Sequence, residues 1–381
     1  MEKRELLPLI QRRAIVKHRM DHGVIMIMAV SSLFPLTGVA QQIAFSTGDL
    51  VFKGDLRYRH EQISQEGSNQ RDRERIRARL SVTAAVDQKV NFIFGVASGC
   101  ANDPVSSNQD MGAGFSDKPL WIDQAYFDWS TPLAGLKLQG GKMKNPFLAV
   151  GRNQMIWDHD LNPEGLAAQF SSKINAIELF ANASYFWVEE RATTDDSFLI
   201  GGQAGLKHGL ATADLTIGAG LFNYTNTKGF AAYYDAAKSF GNSVDGNKKY
   251  RYDYREMEVF GEAVITKGLP ASLCFDYVFN AASDVKDNQA YLVGASFGKA
   301  ADPGSMTGRV CYRSVERDAV IGAFNDSDYA GGGTDNKGFI FQYDYQASKN
   351  MMLSATFFMN RKGIRNGVDY NRLQIDSNFR F

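Results

Sequence analysis

The 381-residue sequence predicts an all-β fold: a transmembrane antiparallel up-and-down β-barrel of about 16 strands, with short periplasmic turns and long extracellular loops. Three observations predict it. Apolar and polar residues alternate with a period of two, the period of a β-strand, in stretch after stretch. The connections between these stretches alternate between short and long. The last stretch ends on an aromatic residue.

Composition agrees with an all-β chain and argues against several other classes. Gly (36), Phe (26) and Tyr (16) are plentiful and Pro (9) is scarce, as strands and tight turns prefer. The mean hydropathy of −0.28 argues against a bundle of membrane helices. The formal net charge is zero, so nothing indicates nucleic-acid binding. Cys100, Cys274 and Cys311 show no CxxC spacing, which argues against a disulfide framework or a zinc site.

The first 40 residues predict a signal peptide, cleaved after Ala40, which leaves 41–381 as the barrel domain. Residues 23–40 carry no charge and follow a basic stretch, and they end in the small-x-small sequence Gly38-Val39-Ala40. A single membrane anchor is the alternative, but Pro35 and the small residues favour cleavage. Because the basic region is long, Met20 is an alternative start.

Sixteen strands are predicted in chain order, and most reach the roughly 9–11 residues that cross a bilayer at a tilt. They are 50–62, 71–86, 89–98, 119–130, 135–145, 165–172, 175–188, 198–208, 211–224, 252–266, 271–281, 288–299, 306–317, 337–346, 350–361 and 369–381. Every second connection is short, whereas four of the others, 99–118, 146–164, 225–251 and 318–336, are long and polar. A barrel gives this alternation, and a soluble sandwich has no reason to produce it.

The stretch RERIRARLSVTAAV, residues 73–86, places arginines on one strand face and an apolar row on the other. In a soluble sandwich the arginines would face water, and in a membrane barrel they would face the lumen. An arginine facing lipid near mid-bilayer costs roughly 2–4 kcal/mol. The arginines are therefore predicted to line the aqueous channel that sixteen strands enclose.

Two charged walls are predicted inside the barrel. The first two strands give a pore-lining basic wall of Arg57, Arg59, Arg75, Arg77 and Arg79, and the tenth strand gives a pore-lining acidic wall of Glu256, Glu258 and Glu262. The second and tenth strands of a sixteen-strand ring lie opposite each other, which predicts a transverse field across the lumen. The alternative is that these are ordinary solvated charges, since strand shear displaces the two walls.

The chain ends RLQIDSNFRF, with Phe379 and Phe381 on the apolar face. This end resembles outer-membrane barrels, whose final strand with a C-terminal Phe is the signal read by the barrel-assembly machinery. The resemblance implies that Phe379 and Phe381 form the assembly signal of this chain.

The segment KNPFLAVGRNQMIWDHDLNPEGLA, from Lys144, resembles the constriction loop of general porins, which folds into the lumen. Its candidate constriction residues are Trp157, Asp158, Asp160 and Glu164. The alternative is a surface loop facing lipopolysaccharide. Asp158-His159-Asp160 is a weak metal-site candidate because adjacent loop residues rarely supply a closed site. Neither a metal nor a cofactor is predicted.

The segments IDQAYFDW, GGKMKNPF and WDHDLNPEGLA resemble the "putative porin" family of Gram-negative bacteria, which is distantly similar to general and phosphate-selective porins. The resemblance covers nearly the whole mature chain. It implies a passive outer-membrane diffusion channel for small hydrophilic solutes and ions, often trimeric and surrounded by lipid and lipopolysaccharide, with no established residue-level site. The alternative is a channel selective for anions or oxyanions, as in phosphate-selective porins.

Two other classes are weaker candidates. An outer-membrane barrel enzyme would need a catalytic set, and no Ser-His-Asp arrangement is evident from the spacing, although such sets are assembled in space. A soluble sandwich or adhesin would have to explain the terminal Phe and the loop alternation. The sequence therefore predicts a channel rather than an enzyme.

Overall fold

A computed structural model of the chain describes residues 50–381, so the predicted signal peptide lies outside the described residues. Among residues 50–381 no helix is long and apolar enough to cross a membrane. The strands are β1 (Leu50–Gln65), β2 (Arg71–Ala85), β3 (Val90–Ser98), β4 (Gln109–Asp110), β5 (Leu120–Ser130), β6 (Leu136–Lys142), β7 (Glu164–Ile174), β8 (Ile177–Glu189), β9 (Ser197–Gly209), β10 (Ala213–Tyr224), β11 (Tyr254–Ile265), β12 (Ala271–Asn280), β13 (Gln289–Gly298), β14 (Met306–Val315), β15 (Asn336–Ser348), β16 (Met351–Lys362) and β17 (Val368–Arg380).

Sixteen of these strands form a closed antiparallel barrel. Each wall strand pairs with the next along the chain, and β17 pairs with β1 from Asp55↔Arg380 to Gln65↔Tyr370. The two-residue β4 belongs to the loop between β3 and β5, and it pairs with β2. The predicted all-β barrel of about 16 strands is confirmed.

The two faces of the wall differ as the alternation predicts. On β1 the side chains of Phe52, Leu56 and Tyr58 point outward and are about half exposed, whereas Arg59 points inward and is buried. Outward apolar side chains recur around the ring, on strands from β2 to β17. Because exposed apolar surface on this scale needs an apolar solvent, the outer face is the face that contacts lipid.

The long connections lie at one end of the barrel and fold into it. The 143–163 loop and the 316–335 loop each contain a short 3₁₀ turn, Val150–Arg152 and Tyr329–Gly331. Buried side chains of these loops, such as Met155 and Ile321, pack against inward wall residues such as Phe222. The hydrophobic core therefore lies inside the barrel, between the wall and the inserted loops.

A β-bulge interrupts the alternation on β5. The pairing with β3 runs Gly95↔Gln124 and then Val96↔Ile122, which leaves Asp123 without a partner residue. A bulge of this kind re-aims a side chain. Asp123 accordingly lines the interior cavities, although simple alternation places it on the face of Trp121, toward lipid.

Candidate pore constriction

The 143–163 loop crosses the inside of the barrel from β6 to the opposite wall. The Leu148 amide donates to Gln203 Oε1 on β9 at 2.8 Å, and the Gly151 amide donates to Glu262 Oε1 on β11 at 3.2 Å. The Asn153 side-chain amide donates to Asp276 on β12. These three hydrogen bonds hold the loop across the lumen, where it narrows the passage.

Three of the candidate constriction residues lie on the inner part of this loop. Trp157 packs edge-on against Phe222, with ring centroids 5.4 Å apart. Asp158 is buried and accepts a hydrogen bond from the Ser327 amide at 2.9 Å. Burial, together with the nearby Asp160 and Asp326 carboxylates, raises the pKa of Asp158 well above its usual range. Asp158 is therefore a buried hydrogen-bond acceptor that joins two loops.

Asp160 connects the loop to the basic wall. It accepts hydrogen bonds from the Ser107 amide at 2.9 Å and hydroxyl at 2.7 Å, and from Arg79 Nη1 at 3.2 Å. Burial opposes its ionisation, but Arg77, Arg79 and the Ser107 bonds outweigh burial and lower the pKa of Asp160. Asp160 is therefore an ionised group beside the arginines.

Glu164 is not part of the loop, contrary to the sequence prediction. It is the first residue of β7, its side chain is exposed, and it pairs with Lys142 of β6 at 2.9 Å. The strand begins one residue earlier than predicted, so backbone pairing with β6 places Glu164 on the wall.

All five arginines of the predicted basic wall point into the barrel, but carboxylates accompany them. Asp55 contacts Arg77 at 2.8 Å and Arg79 at 2.7 Å. Asp55 lies on β1 directly opposite Arg79 in the strand register, which explains the contact. Together with Asp160, which lies 3.7 Å from Arg77 and 3.2 Å from Arg79, Asp55 brings the charge around these two arginines close to neutral.

The most buried arginine of the wall joins three elements. Arg59 Nε and Nη2 donate to the two oxygens of Asp376 on β17 at 2.7 and 2.8 Å, and Arg59 Nη1 donates to Asp328 of the 316–335 loop at 3.0 Å. Arg372 Nη1 donates to the same Asp328 carboxylate at 2.7 Å. Although burial opposes ionisation, the two guanidinium groups hold the pKa of Asp328 well below its usual range.

Arg75, together with Arg73 of the same strand, contacts the fully buried Glu61. Arg73 donates to this carboxylate, and Arg75 lies 3.7 Å from it and 2.7 Å from Asp110. Arg57 donates to Asn108 at 2.5 Å. The larger cavity of the lumen, the inner cavity described below, is lined by four of the five predicted arginines, Arg57, Arg59, Arg77 and Arg79, but not by Arg75.

The predicted acidic wall faces inward, and two of its three glutamates are buried. Glu256 is fully buried and accepts the Ile321 amide at 2.8 Å, and Glu258 accepts Gln203 Nε2 at 3.0 Å. Glu262 accepts the Gly151 amide. The two inserted loops cover Glu256 and Glu258, so these two glutamates do not line the open lumen as predicted, whereas Glu262 is partly exposed.

Two cavities lie on either side of the 143–163 loop. The inner cavity, about 710 Å³, lies between the loop and the arginines of β1 and β2. The outer cavity, about 460 Å³, lies toward the long loops. The linings of the two cavities share five residues, which are Asp123, Trp157, Asp160, Leu161 and Asn162. These five form the partition between the cavities, which we call the constriction.

The inner cavity carries an excess of positive charge. Ten basic and seven acidic side chains line it, a formal excess of three positive charges. Lys53, Lys144, Arg309 and Arg380 have no ion pair within residues 50–381, whereas the arginines of β2 are paired. The uncompensated charge therefore resides on side chains outside the predicted basic wall.

Sequence reasoning missed several of these residues. Asp55 and Glu61 share the inward face of Arg57 and Arg59, so the same alternation identifies them. Asp376 is on the polar face of the last strand and is found in the same way. Asp328 comes from a loop and Asp123 from a bulge, and no local pattern marks either of them.

A closed sixteen-strand barrel with an apolar outer face, a charged lumen and a loop folded across it defines an outer-membrane porin. A family model described as "Putative porin" matches residues 55–250 and 249–381, and the chain belongs to this family. The protein therefore resides in the bacterial outer membrane. No curated protein sequence matches the chain.

Solved porin structures share the fold. Pseudomonas putida OprB, solved at high pH, aligns with a TM-score of 0.59 at 11% identity, over 87% of this chain and 94% of that chain. Salmonella typhi OmpF in complex with daunomycin aligns with a TM-score of 0.54 at 10% identity, over 87% and 97%. Vibrio cholerae OmpT in its trimer form aligns with a TM-score of 0.51 at 13% identity, over 87% and 99%. At these identities the likeness concerns the fold alone.

Proposed function

We propose that this outer-membrane porin passes small hydrophilic solutes and ions by passive diffusion, with a modest preference for anions. The observation that carries the proposal is the inner cavity, with its ten basic and seven acidic side chains. Four of the basic groups, Lys53, Lys144, Arg309 and Arg380, have no ion pair among the described residues. An anion entering this cavity meets a favourable potential, and a cation meets an unfavourable one.

The size of the preference follows from Coulomb's law. One unit charge about 5 Å from an ion in water contributes about 0.8 kcal/mol. Salt at about 0.1 M reduces this to roughly 0.5 kcal/mol, since the Debye length is then about 10 Å. The effect acts on anion and cation with opposite sign, so one net charge changes their permeability ratio about fivefold. We therefore expect a graded preference rather than exclusion of cations.

A channel dedicated to oxyanions is the second candidate. It would need arginines that are free to bind phosphate bidentately. Arg59, Arg77 and Arg79 instead hold carboxylates at 2.7 to 3.0 Å. This compensation favours the weakly selective channel, and membership of the porin family supports a channel rather than an enzyme.

We also propose the partners of the channel. A homotrimer is supported by the fold shared with Vibrio cholerae OmpT, which is described in a trimer form. Phe379 points outward and Phe381 is 71% exposed, so both are accessible to the barrel-assembly machinery. The outward apolar side chains are accessible to membrane lipid and, at the outer rim, to lipopolysaccharide.

The experiment is the reversal potential of refolded residues 41–381 in a planar bilayer under a KCl gradient. We expect an anion-selective potential, and we expect the variant Lys53→Gln/Lys144→Gln/Arg309→Gln to lose the preference because the formal excess falls from three to zero. Lys248→Gln, at an exposed loop position, is the matched control. Cation selectivity of the parent chain, or an unchanged triple variant, contradicts the anion preference. Absence of conductance from folded protein contradicts the channel itself.

A further inference from the structure

The outer cavity differs in charge from the inner one. Its charged lining consists of Lys142 and four carboxylates. Lys142 pairs with Glu164 at 2.9 Å, and Asp160 pairs with Arg79 at 3.2 Å. The other two carboxylates, Asp103 and Asp123, form no ion pair within residues 50–381.

Asp103 and Asp123 are held only by neutral donors. The Val105 amide donates to Asp103 Oδ1 at 3.2 Å, and Asn162 Nδ2 donates to Asp123 Oδ1 at 2.8 Å. Burial raises the pKa of Asp103, so its negative charge costs free energy in this cavity. A cation that enters the cavity would offset that cost.

Aromatic rings form much of the remaining lining. Trp157, Tyr234 and Phe324 are partly exposed there, and Tyr224 stacks on Phe324 with ring centroids 6.2 Å apart. Tyr224 is 3% exposed, and its hydroxyl has no hydrogen-bond partner among residues 50–381. A polar group with no protein partner in an aromatic cavity indicates that a solute or water completes the site.

We propose that the outer cavity is a subsite for small organic amines with an aromatic or apolar body. The ammonium group lies between Asp103 and Asp123, and the body lies against Trp157 and Tyr234. A cation over an aromatic face gains about 0.5–2 kcal/mol. A neutral hydroxylated solute would gain stacking but would leave both carboxylates uncompensated, so charge favours the amine. The volume of about 460 Å³ is in the range of small-molecule sites.

This inference deepens the proposed function and rests on it, because the subsite borders the constriction. An amine held there faces the positive inner cavity, so it is retained rather than passed on. We therefore expect an amine added at the loop side to block the anion current. The block should depend on amine concentration and on the two aspartates.

The test uses phenethylammonium chloride at the loop side of single channels, with 2-phenylethanol as the neutral analogue. We expect transient blocks by the amine and none by the alcohol. Asp103→Asn/Asp123→Asn should weaken the block at least tenfold, and Asp195→Asn, at an exposed loop position outside both cavities, should leave it unchanged. Equal block of the parent and the double variant, or equal block by the alcohol, overturns the proposal.

A second readout separates this proposal from the channel function. Phenethylammonium binding to the folded protein in detergent is followed by tryptophan fluorescence, with Trp157→Phe identifying the signal of the site. A protein that binds the amine but conducts no ions supports the subsite and contradicts the channel. A protein that conducts ions without an aspartate-dependent fluorescence change contradicts the subsite alone.

Discussion

Replacing Asp328 tests whether the 316–335 loop is held inside the barrel by charge. Asp328→Asn keeps the shape of the side chain but removes the negative charge that Arg59 and Arg372 contact at 3.0 and 2.7 Å. A hydrogen bond to a charged group contributes about 1.5–3 kcal/mol, against about 1 kcal/mol for a neutral one. Two weakened bonds therefore cost about 3 kcal/mol of docking free energy, which raises the undocked population about 100-fold.

Single-channel recording measures this change as the fraction of time spent in conductance levels other than the main one. The matched control is Asp335→Asn in the same loop, whose partner Arg317 is about half exposed. An exposed pair of this kind contributes about 0–1 kcal/mol, so the control should resemble the parent. If all three proteins spend the same fraction of time outside the main conductance level at neutral pH, the 316–335 loop is not held by the charge of Asp328.

The same contact sets a pH dependence. The two guanidinium groups lower the pKa of Asp328 in the docked loop, so its contribution is complete above the undocked pKa, about 4, and is lost as the pH falls below that value. The parent channel should therefore spend more time outside its main conductance level only in that acidic range. The Asp328→Asn channel should spend more time outside the main conductance level already at neutral pH, and lowering the pH should increase that fraction only a little.

Three further outcomes are expected. A Cβ at Gly54 would overlap Phe381 Cζ and lie 2.9 Å from the Arg79 carbonyl oxygen, so Gly54→Ala should destabilise the barrel by about 1–3 kcal/mol in urea unfolding. Gly202→Ala, with open space around it, should not. Asp160→Asn leaves Arg79 with less compensation and should increase the anion preference about fivefold in reversal-potential measurements, while Asp195→Asn, at an exposed loop position outside both cavities, should leave it unchanged. Asn153→Leu removes the bond to Asp276 and should raise the single-channel conductance, and a conductance equal to that of the parent contradicts the role of the 143–163 loop as the constriction.

The barrel could be predicted from the sequence because its determinants are local. Alternation along a strand fixes which side chains face lipid, and the lengths of the connections fix which end carries the loops. The inward direction of Arg57, Arg59, Arg75, Arg77 and Arg79 followed from this alone. The cost of placing an arginine in lipid removed the alternative orientation.

The charge balance of the lumen could not be predicted in the same way. Asp328 contacts Arg59 across 269 positions of the chain, and its position depends on the path of a loop. The same loops cover Glu256 and Glu258, which alternation alone exposes to the lumen. A single bulge turns Asp123 inward, and a strand that begins one residue early removes Glu164 from the constriction.

The ion pair between Arg59 and Asp376 also bears on how the barrel closes. It crosses the seam between β1 and β17, the two strands whose pairing closes the ring. Without β17, Arg59 would keep only Asp328 and Glu61 would lose Arg372, and buried charge with fewer partners is destabilising. The closing strand therefore completes the charge balance of the strand that begins the wall.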